Sequence, residues 1–351
     1  MMERNTKSLQ SVSETINTIR FPMAVLVVFI HTCSTHIDLT DTSHIIYQLT
    51  RVFFSSVLGQ VAVPTFFLIS GYLFYQKLES WNWQIYYEKL RRRVCSLFVP
   101  YVIWNTLYII FALSGAIYSV VFKGTSYTVL TDWIKGQGLL HLYWDGVYLV
   151  PLWFVRDLMV IVLFATIIYG CVKCLKGFSI LLSVVLYFSC DFIPYSLVFF
   201  TIGAFFCLFP ENIDYILNRR IRKIVIFGFM NTLLLNTYGV YVNSEFLEII
   251  QKCNVLIGVF AIMSIGYEIN MRRTVLGRFL IESSFFIFMF HYFLCHDVSR
   301  MVRHMIGAYS QFQLIMVYFL SNIIVVCSCI ITYMLFNKCM PKVLKVLVGG
   351  R

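Results

Sequence analysis

The chain has 351 residues, 59% of them hydrophobic and only 13% charged, with a mean hydropathy of +0.78. Soluble domains carry about 25% charged residues, so a water-soluble core is excluded, and apolar runs of about 20 residues from end to end point to a polytopic α-helical membrane protein. A net charge of +11 would suit nucleic acid, but the placement of that charge, set out below, excludes such a partner.

Residues 1–19 read as a polar cytosolic tail with no cleavable signal, so the first span is expected to remain as a signal anchor. Ten spans follow, at about 20–37, 52–75, 94–113, 150–171, 177–191, 194–210, 223–242, 253–269, 280–296 and 314–336. The fifth and sixth are short and weakly separated at Asp191 to Pro194, which leaves nine or eleven spans open. Arg20 opens the first span and His31 follows eleven positions later. Eleven residues make about three turns, so both side chains share one helix face roughly 16 Å apart. A charge and an imidazole on one stripe of a membrane helix are costly, and a functional role is their default explanation.

The second span carries VPTFFLISGYLFY, with Pro64, Ser70 and Gly71. The proline frees a backbone carbonyl, and Gly71 permits close approach of a helix or a ligand. A basic run, Arg91–Arg92–Arg93, leads into the third span. Residues 114–149 form a long external loop with Gly115, Gly124, Gly136 and Gly138, ending in HLYWDGVYLVPLW. Loops of this length are often functional. Within it, 127–135 is expected to be a short interfacial helix with Trp133 at the headgroups. The fourth span brings Trp153, Arg156 and Asp157; Cys171 and Cys174 then form a CxxC at its end. The eleven cysteines show no framework spacing and read as small apolar fillers. His291 falls in the ninth span, and residues 337–351 form a basic cytosolic tail.

With the N-terminus in the cytosol, the cytosolic segments hold 21 of the 28 Lys and Arg and the opposite side six, with Arg156 inside a span. This asymmetry is the positive-inside pattern and sets both termini in the cytosol. Counted along the helices, His31, His291 and Asp157 lie roughly 16, 18 and 20 Å from the cytosolic edge of a core about 30 Å thick. Three titratable groups on three spans at one depth imply a polar cavity near mid-membrane. An imidazole with an ordinary pKa near 6.5 suits general-base work. Bland alternatives stand beside these roles. Arg20 also fits a snorkelling residue, and Arg156 with Asp157 fits a mutually neutralising pair that only holds helices.

These pieces resemble the membrane-bound acyltransferase-3 family, which O-acylates glycans and related acceptors. The resemblance covers about residues 14 to 336. It rests on RFPMAVLVVFIH (Arg20 to His31), VPTFFLISGYLF, KLRRRVCSLFVPYVIW, PLWFVRDL and FLIESSFFIFMFH, in that order. One departure is that some members carry two arginines three apart in the basic segment, whereas Ser96 follows Arg93 here. The extracytoplasmic hydrolase-like domain of longer members is also absent. The resemblance implies an all-α integral membrane protein: one domain over 20–336, a single bundle of about ten transmembrane helices, multi-pass in a bacterial inner or plasma membrane.

It also implies an O-acetyltransferase that takes acetyl-CoA as donor substrate from the cytosol, with no bound cofactor and no metal. The acceptor implied is an extracytoplasmic polysaccharide or cell-envelope glycan. His31, Arg20 and Asp157 are then the catalytic candidates. Arg92, Arg93, Ser70 and Gly71 are candidates for the donor. Trp144, Trp153, Arg156 and His291 are candidates for the acceptor, which would enter under the 114–149 loop beside Tyr143 and Tyr148. Whether His31 acts as base or as transient acyl carrier stays open. A transporter or flippase of a glycan or acyl donor is the competing expectation, and a catalytically dead sensor or assembly subunit a third.

Overall fold

The computed structural model describes residues 2–32, 44–76, 78, 80–124, 138, 141–145, 147–242, 246–271, 277–307 and 310–350, with side chains from residue 11 onward and without that of Met271. Among them there is no strand. Seven helices are long and apolar enough to cross a bilayer: α1 (Met2–His31), α2 (Ile45–Tyr75), α3 (Trp83–Lys123), α9 (Arg219–Val242), α10 (Leu247–Met271), α11 (Arg278–Ile306) and α12 (Gln311–Cys339). Two bent pairs bring the number to nine if each is one span. They are α4 with α5 (Val150–Leu163 and Ala165–Leu175, 66°) and α7 with α8 (Tyr195–Leu208 and Pro210–Ile216, 99°). The remaining expected span falls on α6 (Phe178–Ser189), whose 12 residues rise only about 18 Å, short of a core of about 30 Å. The expected helix at 127–135, with Trp133, lies outside the described residues.

α1 is helical well before the expected start of the first span. Arg20 lies inside this continuous helix, and His31 is its last residue. The polar residues before Arg20 are satisfied locally. Thr15 Oγ1 donates to Ser11 O (2.8 Å) and Thr18 Oγ1 to Glu14 O (3.0 Å). Asn270 Nδ2 of α10 donates to the Glu14 carboxylate (3.1 Å). A hydroxyl that bonds its own helix costs little in an apolar setting.

α1 is central, packed against α2, α10, α11 and α12. α2 crosses α7 at a glycine-on-glycine contact. A Cβ on Gly71 would lie 2.0 Å from Phe200 O, and one on Gly203 would lie 2.0 Å from Leu68 O. Gly71, expected to face the donor, is thus spent on helix packing, where only the missing Cβ lets two backbones touch.

Breaks in the helices are repaired by side chains, as a bilayer demands. At the α4–α5 bend, Tyr86 OH donates to Leu163 O (2.9 Å) and Tyr75 OH to Ala165 O (2.6 Å). At the end of α2, Lys89 Nζ donates to Phe74 O (2.6 Å). Residues 114–123 of the expected loop, with Gly115, are helical and extend α3. The last part of the loop is tied to α3 and α4, although His141, Trp144 and Asp145 are exposed. Its π-helical turn His141–Asp145 folds against α3, and three successive carbonyls are taken up. Asn105 Nδ2 donates to Leu142 O (2.7 Å), Tyr101 OH donates to Tyr143 O, and Arg156 donates to Trp144 O (2.7 Å). Asn105 Oδ1 also accepts from Leu149 N (3.0 Å). Residues beyond α12 form α13 (Pro341–Leu347), whose Leu344 and Leu347 are buried. Trp104 Nε1 donates to Leu347 O (2.9 Å).

Candidate functional site

Two cavities lie along α1, one beside its middle at Arg20 and one at its last turn, and they share two phenylalanines. The first has a volume of about 560 Å³ and lies toward the end of the bundle that carries Arg93 and the start of α11. Its polar lining is Asn17 and Arg20 of α1, Ser70 of α2, Arg93 of α3, and Arg278 and Glu282 of α11. The one carboxylate is already engaged, since Arg278 Nε bonds Glu282 Oε1 at 2.8 Å. The Arg93 guanidinium lies over the Phe74 ring, 5.5 Å from its centroid. Arg20 has no acidic partner among the described residues. Arg278 is exposed and paired with Glu282, which leaves the half-buried guanidinium groups of Arg20 and Arg93 to make a space that favours an anion, because such a cation is costly until a counter-charge meets it.

Arg93 and Leu73 also line a wider, open basin of about 1130 Å³, together with Glu88, Lys89, Arg91 and Arg92. The basic run of α3 therefore forms a vestibule to the Arg20 cavity. Arg92 lies in the vestibule and Arg93 at the boundary of the two.

The second cavity is smaller, about 160 Å³, and is built around His31. Val27, Ile30 and His31 come from α1, Gln60 and Val63 from α2, Pro151, Trp153 and Phe154 from the start of α4, Tyr195 from the start of α7, and Phe288 from α11. Phe154 and Phe288 line both cavities. Their rings meet edge to face at 5.4 Å, and Phe66 sits 6.0 and 6.1 Å from them. The sequence expects one polar cavity near mid-membrane. The structure has two compartments with an aromatic partition between them.

His31 and His291 do meet. Their ring centroids are 5.3 Å apart, and Tyr292 packs edge-on to His31 at 5.3 Å. His291 is 0% exposed and lines neither cavity. Its Nδ1 lies 3.0 Å from Ile287 O; a carbonyl only accepts, so Nδ1 carries the hydrogen and Nε2 the lone pair. Nε2 has no hydrogen-bond partner among the described residues. His291, expected to touch the acceptor, is fully buried against His31 and lines neither cavity.

Asp157 does not join the histidines. It pairs with Arg156 at 3.0 Å, and Arg156 also holds the Trp144 carbonyl. Phe154 and Leu158, one turn apart, line the larger cavity, while Arg156 reaches the loop and Asp157 lies close enough to Tyr195 for its charge to act there. Trp144 is likewise absent from the lining of the His31 cavity, whereas Trp153 is part of it. Tyr143, also considered for the acceptor, puts its hydroxyl 2.7 Å from Thr106 Oγ1. The ten described cysteines are free, with Cys171 and Cys174 exposed.

Sequence reasoning missed Gln60, Tyr195, Arg278 and the Phe154–Phe288 wall. A lone amide inside the apolar run VFFSSVLGQVAVP was a visible signal for Gln60, since uncompensated polar groups in a span are rare. The others carry no such mark.

The family model described as an acyltransferase domain, acyltransferase-3, matches the chain over residues 14–334. No match was found among curated proteins, and none among solved structures.

Proposed function

This chain belongs to the membrane acyltransferase-3 family, and from that premise we propose that it moves an acetyl group from cytosolic acetyl-CoA to a hydroxyl of an extracytoplasmic glycan. The observation that carries the reading is the pairing of two cavities across one wall. An unpaired Arg20 lines one, His31 lines the other, and Phe154 and Phe288 belong to both.

In this reading the basic vestibule faces the cytosol, supported by the concentration of Lys and Arg in the segments on that side. The phosphates of the donor rest among Arg91, Arg92 and Arg93, which suit multiply anionic groups. The pantetheine arm runs through the 560 Å³ cavity past Ser70 and Arg20, and the thioester passes between Phe154 and Phe288, the two rings that line both cavities, to reach His31. The acceptor hydroxyl comes to His31 from the other side. His31 takes its proton as the acceptor oxygen bonds to the acyl carbon; the carbon–sulfur bond breaks, and the departing thiolate regains the proton as coenzyme A thiol. The alternative order, in which the acyl group rests first on the imidazole, uses the same residues. His291 is a positioning residue that fixes the His31 ring by packing against it.

The test is purified protein in detergent with labelled acetyl-CoA and a simple glycan. Label is expected on the glycan as an alkali-labile ester, lost in His31→Ala while the protein is still found in the membrane. Retained turnover in that variant removes His31 from the role. Opposed cavities with a shared partition also suit a transporter. Vectorial movement across sealed vesicles with no bond change would favour that reading.

A further inference from the structure

Four polar side chains from four different segments converge on the His31 cavity: the imidazole itself, the Gln60 amide, the Trp153 indole and the Tyr195 phenol. None of the four hydrogen-bonds another described residue. The rest of the lining is apolar, from Val27, Ile30, Val63 and Pro151 to the two phenylalanines. These polar heads are open to the cavity and free to bond a ligand that enters it, with Gln60 exposed and the other three partly so.

Local irregularity in α2 explains how Gln60 comes to be there. A π-helical turn, Val52–Leu58, is followed at once by a tight 3-10 turn, Gly59–Val61. The change of pitch breaks the regular helical register, a recurrent device at functional sites. Gly59 and Val61 are buried while Gln60 between them is exposed. Gly59 presses on the last turn of α1, where a Cβ would come 2.7 Å from Ile30 Cγ1. That contact sets Gln60 beside the turn that ends in His31.

Tyr195 is fixed by its ring. It packs edge-on to Trp153 at 6.0 Å and to Phe67 at 6.2 Å, so its hydroxyl is held without a hydrogen bond of its own. Trp153 adds an apolar ring surface on the same wall.

We propose that Gln60 and Tyr195 position the acceptor hydroxyl at His31, and that the cavity takes one edge of a polyol or sugar ring lying against Trp153. An amide both donates and accepts, so it suits a hydroxyl neighbouring the one that reacts. A ring with hydroxyls on its edge and C–H groups on its face matches the mixture of polar heads and indole wall. The assignment rests on the reading of His31 as the acyl-transfer centre and names residues on its acceptor side.

The experiment uses the full chain in detergent with acetyl-CoA and a panel of methyl glucoside, methyl galactoside and glycerol, each substrate varied in turn. Tyr195→Phe keeps the ring and its packing; Gln60→Ala removes the amide. Both are expected to raise the KM for the best alcohol tenfold or more while the KM for acetyl-CoA stays within twofold. Thermal melting of each variant reports whether the fold is intact. An acceptor KM within twofold of wild type in both variants overturns the proposal. So does a donor KM that rises in step, or a wild-type chain that hydrolyses acetyl-CoA yet acylates none of the panel. A separate outcome, wild-type transfer undiminished in His31→Ala, sinks the acyl-transfer role of His31 and leaves the acceptor measurements standing on their own.

Discussion

Arg20 and His31 lie three turns apart on one helix, and that separation places one side chain in each of two cavities. Replacing Arg20 by Ala removes a charge-assisted contact of about 1.5–3 kcal/mol. The expected result is a ten- to hundredfold rise in the KM for acetyl-CoA, read from initial rates, with the acceptor KM unchanged. Arg20→Lys should recover part of the loss, since it restores charge without the planar fork. His291 gives the opposite pattern. It is buried behind His31 and lines neither cavity, so His291→Ala should lower kcat by about 10²-fold, the cost of a small misplacement of a reacting group. Both KM values should stay within threefold. A rise in acceptor KM alone would return His291 to the substrate. Asp157 shows how adjacency in sequence can outweigh shared depth: its charge is met by its own neighbour, Arg156, before any other helix is reached.

At the scale of the elements, two devices let irregular or crowded segments exist in a bilayer. Where α2 crosses α7, backbone meets backbone through Gly71 and Gly203. Gly203→Ala must push Leu68 O away by more than an ångström, at about the upper end of the 1–3 kcal/mol usual for overpacking. A melting temperature lowered by several degrees in detergent is the expected readout, and an unchanged one would show that the crossing yields easily. The inward fold of residues 141–149 depends on Asn105, fully buried, which bonds both Leu142 O and Leu149 N. Asn105→Leu leaves Leu149 N without its partner, at about 1–3 kcal/mol, and Leu142 O with only the long bond from Tyr148 N (3.4 Å). Limited proteolysis should then cut within 141–149 faster than in the wild type, with α3 itself intact. The loop expected over 114–149 begins later than its glycines suggested, since 114–123, with Gly115, continue α3. How 141–145 is held was not legible either, because that is decided by Asn105, Tyr101 and Arg156, which lie outside it.

The molecule as a whole is organised around a partition. Phe154 and Phe288 separate a basic vestibule and donor-sized cavity from the His31 chamber, with Phe66 against both. Phe288→Ala should join the two spaces and let water compete with the acceptor. The ratio of acetyl-CoA hydrolysis to acyl transfer is therefore expected to rise at least severalfold, measured as thiol release against ester formed. If the ratio does not move, the rings are not a barrier. The sequence by itself determined the class of protein, the approximate positions of the helices, the Arg–His pair and the family resemblance. These are one-dimensional quantities: the length of an apolar run, the side on which basic residues gather, the spacing of two side chains along one helix. Only the tertiary structure decided that Gly71 packs against α7, that Asp157 pairs with Arg156 and, like Trp144, does not line the His31 cavity, and that Gln60, Trp153 and Tyr195 do. Those facts depend on how far each helix is rotated about its axis and on turns that break its register. Both are set by contacts between segments distant in the chain, which no local pattern encodes.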